Sequence, residues 1–227
     1  MYQYLSQYYD QIFEFNPKIS DFMKPYITKD GYAIDLGCGT GRLTHVLYDY
    51  QMNVLGVNLD PHMIEVATKK YPYITFKVED MLQSFNQKDK YDLVTCFGNT
   101  IVHLNPNQLD QLFLHIKQKV NINGYVVIQT LNYDHILKTK PPFLKKIEKE
   151  GLEFIRSYTY QTSHIMFKTE LNLLNQHFEG FTTIYPYVIN DFIKLSLKNQ
   201  LSLAIYGDMI EYQPDLIPQH IYYVFKT

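Results

Sequence analysis

An α/β domain with a doubly wound, mostly parallel sheet is the fold this sequence predicts, on three observations. Short apolar runs alternate with helix-period segments from residue 31 to residue 128, a glycine cluster closes the first run, and beyond residue 140 the period drops to two. Buried parallel strands read as short apolar runs, and the helices that return the chain read as one-faced amphipathic segments. Taken in order, residues 1–30 form a helical cap broken at Pro17 and Pro25. Ala33–Leu36 is the first strand, and Leu43, Val46, Leu47 and Tyr50 mark one face of the helix after it. Val54–Val57 is the second strand, and Pro61 opens a helix carrying Met63, Ile64 and Ala67. Ile74, Phe76 and Val78 make a third strand and Tyr91–Cys96 a fourth. Leu109, Leu112, Phe113, Ile116 and Val120 define a long helix, and a fifth strand follows Gly124 through Ile128. Ile165, Phe167, Thr169, Leu171 and Leu173 then alternate with Met166, Lys168, Glu170 and Asn172, as in an antiparallel strand with one wet face. Phe154–Gln161 and Phe181–Tyr187 are its expected neighbours, with turns near Ser163 and Gly180. Ile189, Phe192 and Ile193 restore helical spacing, and strands Leu201–Tyr206 and Ile221–Phe225 follow. The expectation is one domain over 1–227, with 1–30 as an N-terminal helical cap and 150–187 as an antiparallel insertion after the fifth strand.

Composition narrows the function classes. The 227 residues are 46% hydrophobic and 15% aromatic, enough for one sizeable core and too aromatic for a disordered chain. No apolar stretch approaches the ~20 residues of a membrane-spanning helix. The opening MYQYLSQYYD has neither the basic nor the apolar region of a secretion signal, so a soluble, cytoplasmic protein without a membrane partner is expected. A formal charge of −2 argues against a nucleic-acid coat. Two cysteines, Cys38 and Cys96, cannot make a thiolate zinc site, and the eight histidines lack paired ligand spacing, so no metal is expected. The basic run from Lys138 to Lys149 is interleaved with Glu148 and reads as a solvated helix face.

The most informative segment is Asp35-Leu36-Gly37-Cys38-Gly39-Thr40-Gly41-Arg42. Glycines at 37, 39 and 41 leave a strand end without β-carbons, so backbone can lie against a ligand, and a helix N-terminus follows with free N–H groups. Dinucleotide sites put their third glycine three residues after the second, where this chain has Arg42.

The D-x-G-x-G-x-G spacing, placed at the end of a first strand, resembles motif I of the class I S-adenosylmethionine-dependent methyltransferases. Further segments resemble the glycine N-methyltransferase-like small-molecule group: Tyr8-Tyr9-Asp10, Cys96-Phe97-Gly98-Asn99-Thr100 with His103-Leu104, Asn132 to Leu137, Tyr206 to Met209, and Tyr222 to Lys226. The resemblance implies a Rossmann-like, seven-stranded sheet with an antiparallel last strand and an insertion covering an acceptor site. It implies S-adenosylmethionine as methyl donor, S-adenosylhomocysteine as product, and a small-molecule acceptor methylated by in-line displacement, with an amine nitrogen as the expected atom.

Carried over residue by residue, the resemblance assigns the donor to Asp35, Gly37, Cys38, Gly39 and Gly41, with Arg42 either clamping its carboxylate or lying on the surface. Asn58, with Leu59 beside it, stands where the family has an acidic residue on the ribose; Asp60 is either a helper or an N-cap. Asp80 and Met81 fall at the adenine, and Cys96 and Phe97 beside the methionine limb, over which Tyr9 is expected. Acceptor-site candidates are Tyr9, His103, Asn132 and Arg156. Asn132 reads nearly as well as a capping or turn residue, and His103 reads first as a buried structural histidine and second as a pocket residue. An amino-acid acceptor needs a cation, and only two arginines, Arg42 and Arg156, exist to supply a guanidinium. A nucleic-acid methyltransferase and a non-catalytic cofactor-binding protein, the latter suggested by Asn58, are the competing readings. The oligomeric state stays open between monomer and homodimer.

Overall fold

The computed structural model describes residues 2–88 and 90–227. The chain begins with α1 (Tyr2–Ile12) and α2 (Lys18–Met23). An alternating stretch follows: β1 (Tyr32–Leu36), α3 (Arg42–Asp49), β2 (Asn53–Asn58), α4 (Pro61–Lys70), β3 (Thr75–Val78), β4 (Tyr91–Cys96), α5 (Pro106–Lys119) and β5 (Val120–Leu131). Next come α6 (Tyr133–Thr139) and four strands, β6 (Ile147–Lys149), β7 (Leu152–Tyr160), β8 (Ile165–Leu173) and β9 (Gln176–Ile184). The chain ends with α7 (Ile189–Asn199), β10 (Ser202–Gly207), β11 (Ile210–Glu211) and β12 (His220–Lys226).

Local chemistry sets several helix starts. Asp60 accepts the amides of His62 and Met63 at 2.9 and 3.1 Å, and Pro61 follows at the first helical position of α4. At α5, Asn105 and Gln108 exchange side-chain bonds with each other's backbone amides ahead of the apolar face Leu109–Ile116.

The main sheet has the order β11-β10-β12-β5-β4-β1-β2-β3, with β12 antiparallel to both neighbours. Seven strands match the sequence expectation, and the eighth, β11, is a two-residue partner of Tyr206 and Gly207. Alternate strand residues bury opposite faces. Ala33, Leu93, Val127 and Val224 pack under Leu43 and Leu47 of α3 and Met23 of α2. Ile34, Val94, Val126 and Phe225 pack under Leu112, Phe113 and Ile116 of α5 and Phe192 of α7.

The second sheet, β6-β7-β8-β9, is antiparallel and spans Ile147–Ile184. Its inward rows place Leu152, Phe154 and Leu171 against Leu5 and Ile12 of α1 and Met63 of α4. One sequence expectation fails here. The turn assigned near Gly180 lies instead at Leu174 and Asn175, because Gly180 pairs with Thr169 in mid-strand and Leu173 pairs with Gln176 at the hairpin end. A lone glycine is a weak turn signal inside a strand.

Candidate functional site

Strand order reverses beside β1, which pairs with β2 on one side and β4 on the other. At such a switch point the carboxyl ends of parallel strands leave a crevice. The chain crosses it at Gly37–Gly41. The amides of Gly37 and Cys38 both donate to the Val57 carbonyl, at 2.8 and 2.9 Å, fixing the bend to β2. Gly37, Gly39 and Gly41 have φ of 71°, 55° and 81°, the left-handed region that side chains disfavour. A side chain on Gly37 would collide with Thr100, and one on Gly41 would meet the Phe76 ring at 2.6 Å. At Gly39 the nearest atom to that position is the Tyr9 ring, 3.7 Å away. Gly37 and Gly41 therefore pack the bend, and Gly39 presents it.

Asp35 lies beneath the bend, with both carboxylate oxygens engaged by protein hydroxyls. Its two oxygens accept hydroxyls from Thr44 of α3 and Thr95 of β4, at 2.7 and 2.8 Å, and it is 2% exposed. Burial pushes the carboxyl up to about 6, against the threonine bonds that lower it. A carboxyl raised on folding stabilises below its unfolded value and loses that contribution as pH rises through the folded one. Between pH 4 and pH 7 wild-type protein should thus lose about 2 kcal/mol of unfolding free energy relative to Asp35→Asn. Urea melts across that window check it; a pH-independent difference contradicts it.

The roof comes from α1. Tyr9 spans from the Gly39 position to Gly98, its hydroxyl 3.7 Å from where a Gly98 β-carbon would sit. Asp10 ties α1 down: it accepts from Thr40 at 2.6 Å and pairs with Lys70 at 2.5 Å and Arg42 Nε at 3.2 Å. Burial acts to raise this carboxyl, but Lys70, Thr40 and Arg42 together bring it below the usual value. Arg42 also donates to the Phe13 carbonyl. It is neither a surface arginine nor turned wholly to a ligand, because α1 takes its guanidinium.

On the other side of β1, Asn58 Oδ1 accepts the Asp60 amide at 2.9 Å, and Asp60 is engaged as the α4 N-cap. Leu59, Lys77, Val78, Glu79, Asp80 and Gln83 line a hollow beside it. Asp80 turns one oxygen to the Leu82 amide at 2.8 Å, and Met81 packs on the main core. At the end of β4, Gln129 Oε1 accepts the Gly98 and Asn99 amides at 2.7 and 3.3 Å. Cys96 is 1% exposed, and the Phe97 ring packs on Tyr222 at 5.6 Å. Both side chains turn into the core, so at this strand end the backbone around Gly98 faces the crevice. Cys38 is also enclosed, and burial holds its thiol up.

Of the acceptor candidates, Tyr9 and Arg156 come together and the other two do not. Asn132 caps α6: Oδ1 accepts the His135 amide at 3.1 Å and Nδ2 donates to the Pro218 carbonyl at 3.0 Å. Both ends of its amide are used by backbone, as in its capping reading. His103 keeps part of its surface exposed, lies against Thr183 of β9, and has its pKa lowered by burial of the ring. Arg156 stands on the inward face of β7, with its guanidinium 5.6 Å from the Phe13 ring and 5.9 Å from that of Phe154. The sequence reading missed Gln129, Asn99, Tyr133, Tyr158 and His220 around this space. Asn99 Nδ2 donates to the Tyr133 hydroxyl at 2.8 Å, and Tyr133 in turn bonds Tyr158. Asn99 and Tyr133 stood in segments that carry the resemblance; nothing in a strand sequence marks Gln129, Tyr158 or His220.

Comparisons with known proteins agree with this geometry. A methyltransferase domain family matches residues 33–124. A protein of Invertebrate iridescent virus 6 described as a methyltransferase is 37% identical over 73 residues, 31% of this chain and 27% of that protein. The match thus spans about a quarter of the viral relative's length. The glycine N-methyltransferase of Oryctolagus cuniculus is 22% identical over 232 residues, covering 86% of this chain and 79% of that protein. Among solved structures, an S-adenosylmethionine-dependent methyltransferase from Clostridium acetobutylicum superposes with a TM-score of 0.84, at 17% identity, over 99% of this chain and 98% of that one.

Proposed function

We propose that the chain is a class I S-adenosylmethionine-dependent methyltransferase and that it methylates a small-molecule acceptor at an amine nitrogen. The observation that carries this reading is the bend with three left-handed glycines, of which Gly39 alone could take a β-carbon without collision, meeting no atom nearer than the Tyr9 ring that roofs it. The chain's residues fit the donor: a side-chain-free cradle at Gly39, an amide at Asn58, and a hollow between Leu59 and Asp80. S-adenosylmethionine supplies a methyl group already activated on a sulfonium centre.

The rest of the work falls to the protein. Gly39 and the Gly98 backbone would hold the methionine limb, and Tyr9 would cover it, excluding water and fixing the direction of approach. Holding nucleophile and methyl in line is worth ~7–11 kcal/mol. A neutral amine needs no strong base within the site, since its lone pair attacks directly. A tyrosine face beside a sulfonium adds ~0.5–2 kcal/mol by cation–π attraction. The second sheet supplies the far wall, and the aromatic lining from Phe13, Phe154 and Tyr158 suits a small acceptor. That the rabbit relative is a glycine N-methyltransferase supports nitrogen as the methylated atom.

Asn58 gives a further expected result. With Oδ1 engaged by the Asp60 amide, it meets ribose hydroxyls as an uncharged amide. Asn58→Asp should tighten nucleoside binding about tenfold, as charge-assisted bonds replace neutral ones. Calorimetric titration reads this directly, and an unchanged affinity places the ribose elsewhere. The proposal itself is tested by release of S-adenosylhomocysteine from S-adenosylmethionine over a panel of primary and secondary amines. Turnover confined to RNA or DNA overturns it.

A further inference from the structure

The face of the second sheet turned away from α1 carries a donor set that methyl transfer leaves unused. Glu170 of β8 and Glu179 of β9 stand directly opposite one another, and His177 lies two residues before Glu179 on the same face of β9. One donor atom from each of the three lies within 4.8 Å of the other two. Like charges directly opposite in a sheet are destabilising. Lys168, 3.2 Å from Glu170 and 3.0 Å from Glu179, offsets only one of the two. Histidine spacing is mute about this set, because Glu170 joins it only through strand register; hence the sequence predicts no metal.

A neighbouring row of side chains fixes the chemistry of the histidine. Glu153 of β7, Asn172 of β8 and His177 are register partners across three strands. Glu153 is a carboxylate held by Lys146 at 2.8 Å, and it accepts from Asn172 Nδ2 at 2.5 Å. Asn172 therefore turns Oδ1, which only accepts, to His177 Nδ1 at 2.5 Å. The ring thus carries a proton on Nδ1, and the Nε2 lone pair of the neutral imidazole faces Glu179, 3.9 Å away. A lone pair aimed at carboxylate oxygens is repelled by them until a cation lies between. An Nδ1–H held by an amide oxygen with Nε2 free is what supporting hydrogen bonds impose on metal-ligating histidines. A proton on Nε2 would serve one carboxylate, whereas the convergence of two suits a divalent ion.

We propose that Glu170, His177 and Glu179 form a divalent transition-metal site, with zinc the best match, that clamps β8 to β9. One imidazole nitrogen with two carboxylates suits zinc, whereas magnesium and calcium take oxygen ligands. Three protein ligands leave the fourth position to water. Zinc–ligand bonds of ~2.0–2.2 Å place neighbouring donors roughly 3.3 Å apart, and rotation of the glutamate side chains closes that remaining distance. Lys168 is displaced when the ion binds, and the Phe181 ring, 5.6 Å from its ammonium, offers it a resting place. The site stands apart from methyl transfer and does not depend on it.

The test is calorimetric titration of zinc into chelator-treated protein, with magnesium and calcium as further arms. Wild-type protein is expected to bind one zinc ion per chain and the other two ions far more weakly. Asn172→Ala should weaken zinc binding by about tenfold, as loss of a supporting hydrogen bond does, and His177→Gln and Glu179→Gln by more. Lys168→Met should tighten it several-fold, because the competing ammonium is gone and both carboxylates remain. Zinc should raise the melting temperature of wild-type and Lys168→Met proteins and leave that of His177→Gln unchanged. In chelator, His177→Gln should melt close to wild type, which shows that it folds. Zinc binding that survives in a His177→Gln, Glu179→Gln double variant, weaker binding in Lys168→Met, or magnesium bound as tightly as zinc overturns the proposal. So does a wild-type protein that takes up no zinc, which leaves His177 as a protonated partner of the glutamates.

Discussion

Gly39→Val is expected to weaken S-adenosylhomocysteine binding by about 100-fold or more, equivalent to ~2.7 kcal/mol, while leaving the protein folded. Gly39 differs from its two neighbours in what a side chain would meet. At Gly37 and Gly41 the obstacles are Thr100 and Phe76, so substitution there disturbs the protein itself. At Gly39 the nearest protein atom is 3.7 Å away, and two methyl groups project into the crevice under Tyr9. The backbone cost of a β-branched residue at φ 55° is of order 1–3 kcal/mol. For a chain of this length that lowers the melting temperature by roughly 2–4 °C per kcal/mol. Calorimetry and a thermal melt on one preparation separate the effects. Undiminished affinity in a folded variant would mean that the bend holds no ligand.

Asp10→Ala is expected to release α1 from the crevice. Three tethers meet on this carboxylate, from Thr40, Lys70 and Arg42, and they join the roof helix to the glycine bend and to α4. Charge-assisted bonds of this kind contribute about 1.5–3 kcal/mol when one partner is removed. The expected results are a ~10–30-fold faster release of S-adenosylhomocysteine and loss of amide protection along α1, with the main-sheet core still protected. Because its partners hold the Asp10 carboxyl below the usual value, the tether persists at any pH above the ordinary carboxylate range. It is lost only as pH falls through the lowered value. Hydrogen exchange at pH 7 and at pH 3.5 checks both statements. Unchanged protection of α1 in the variant would show that apolar contacts of Leu5 and Ile12 suffice.

How far the sequence could be read follows from the range of each interaction. The glycine bend was legible because left-handed backbone and close approach admit one residue type, whatever surrounds them. The main strands were legible because burial imposes its period directly, as at Ala33–Leu36 and Tyr91–Cys96. The Asp60 cap was open as one of two alternatives, since its partners lie two and three residues away. Side-chain direction at longer range was not legible. Asp35 sits in the motif, but its partners, Thr44 and Thr95, come from a helix and from a strand 60 residues on. Asn132 reads nearly as well as a cap as it does as a ligand group until Pro218 closes on its amide nitrogen. Gly180 looked like a turn because strand register depends on the partner strand. That Arg156 forms no ion pair among the described residues is the extreme case, since it depends on where each of their carboxylates ends up.

The central claim, that a sulfonium nucleoside lies on the bend after β1, is tested most directly by a crystal structure grown with saturating S-adenosylhomocysteine. The account predicts the amino-acid limb against Gly39 beneath Tyr9, the ribose at Asn58, and the adenine in the hollow between Leu59 and Asp80. A nucleoside seated elsewhere, or a bend still closed by Tyr9 with no ligand at saturation, would contradict it.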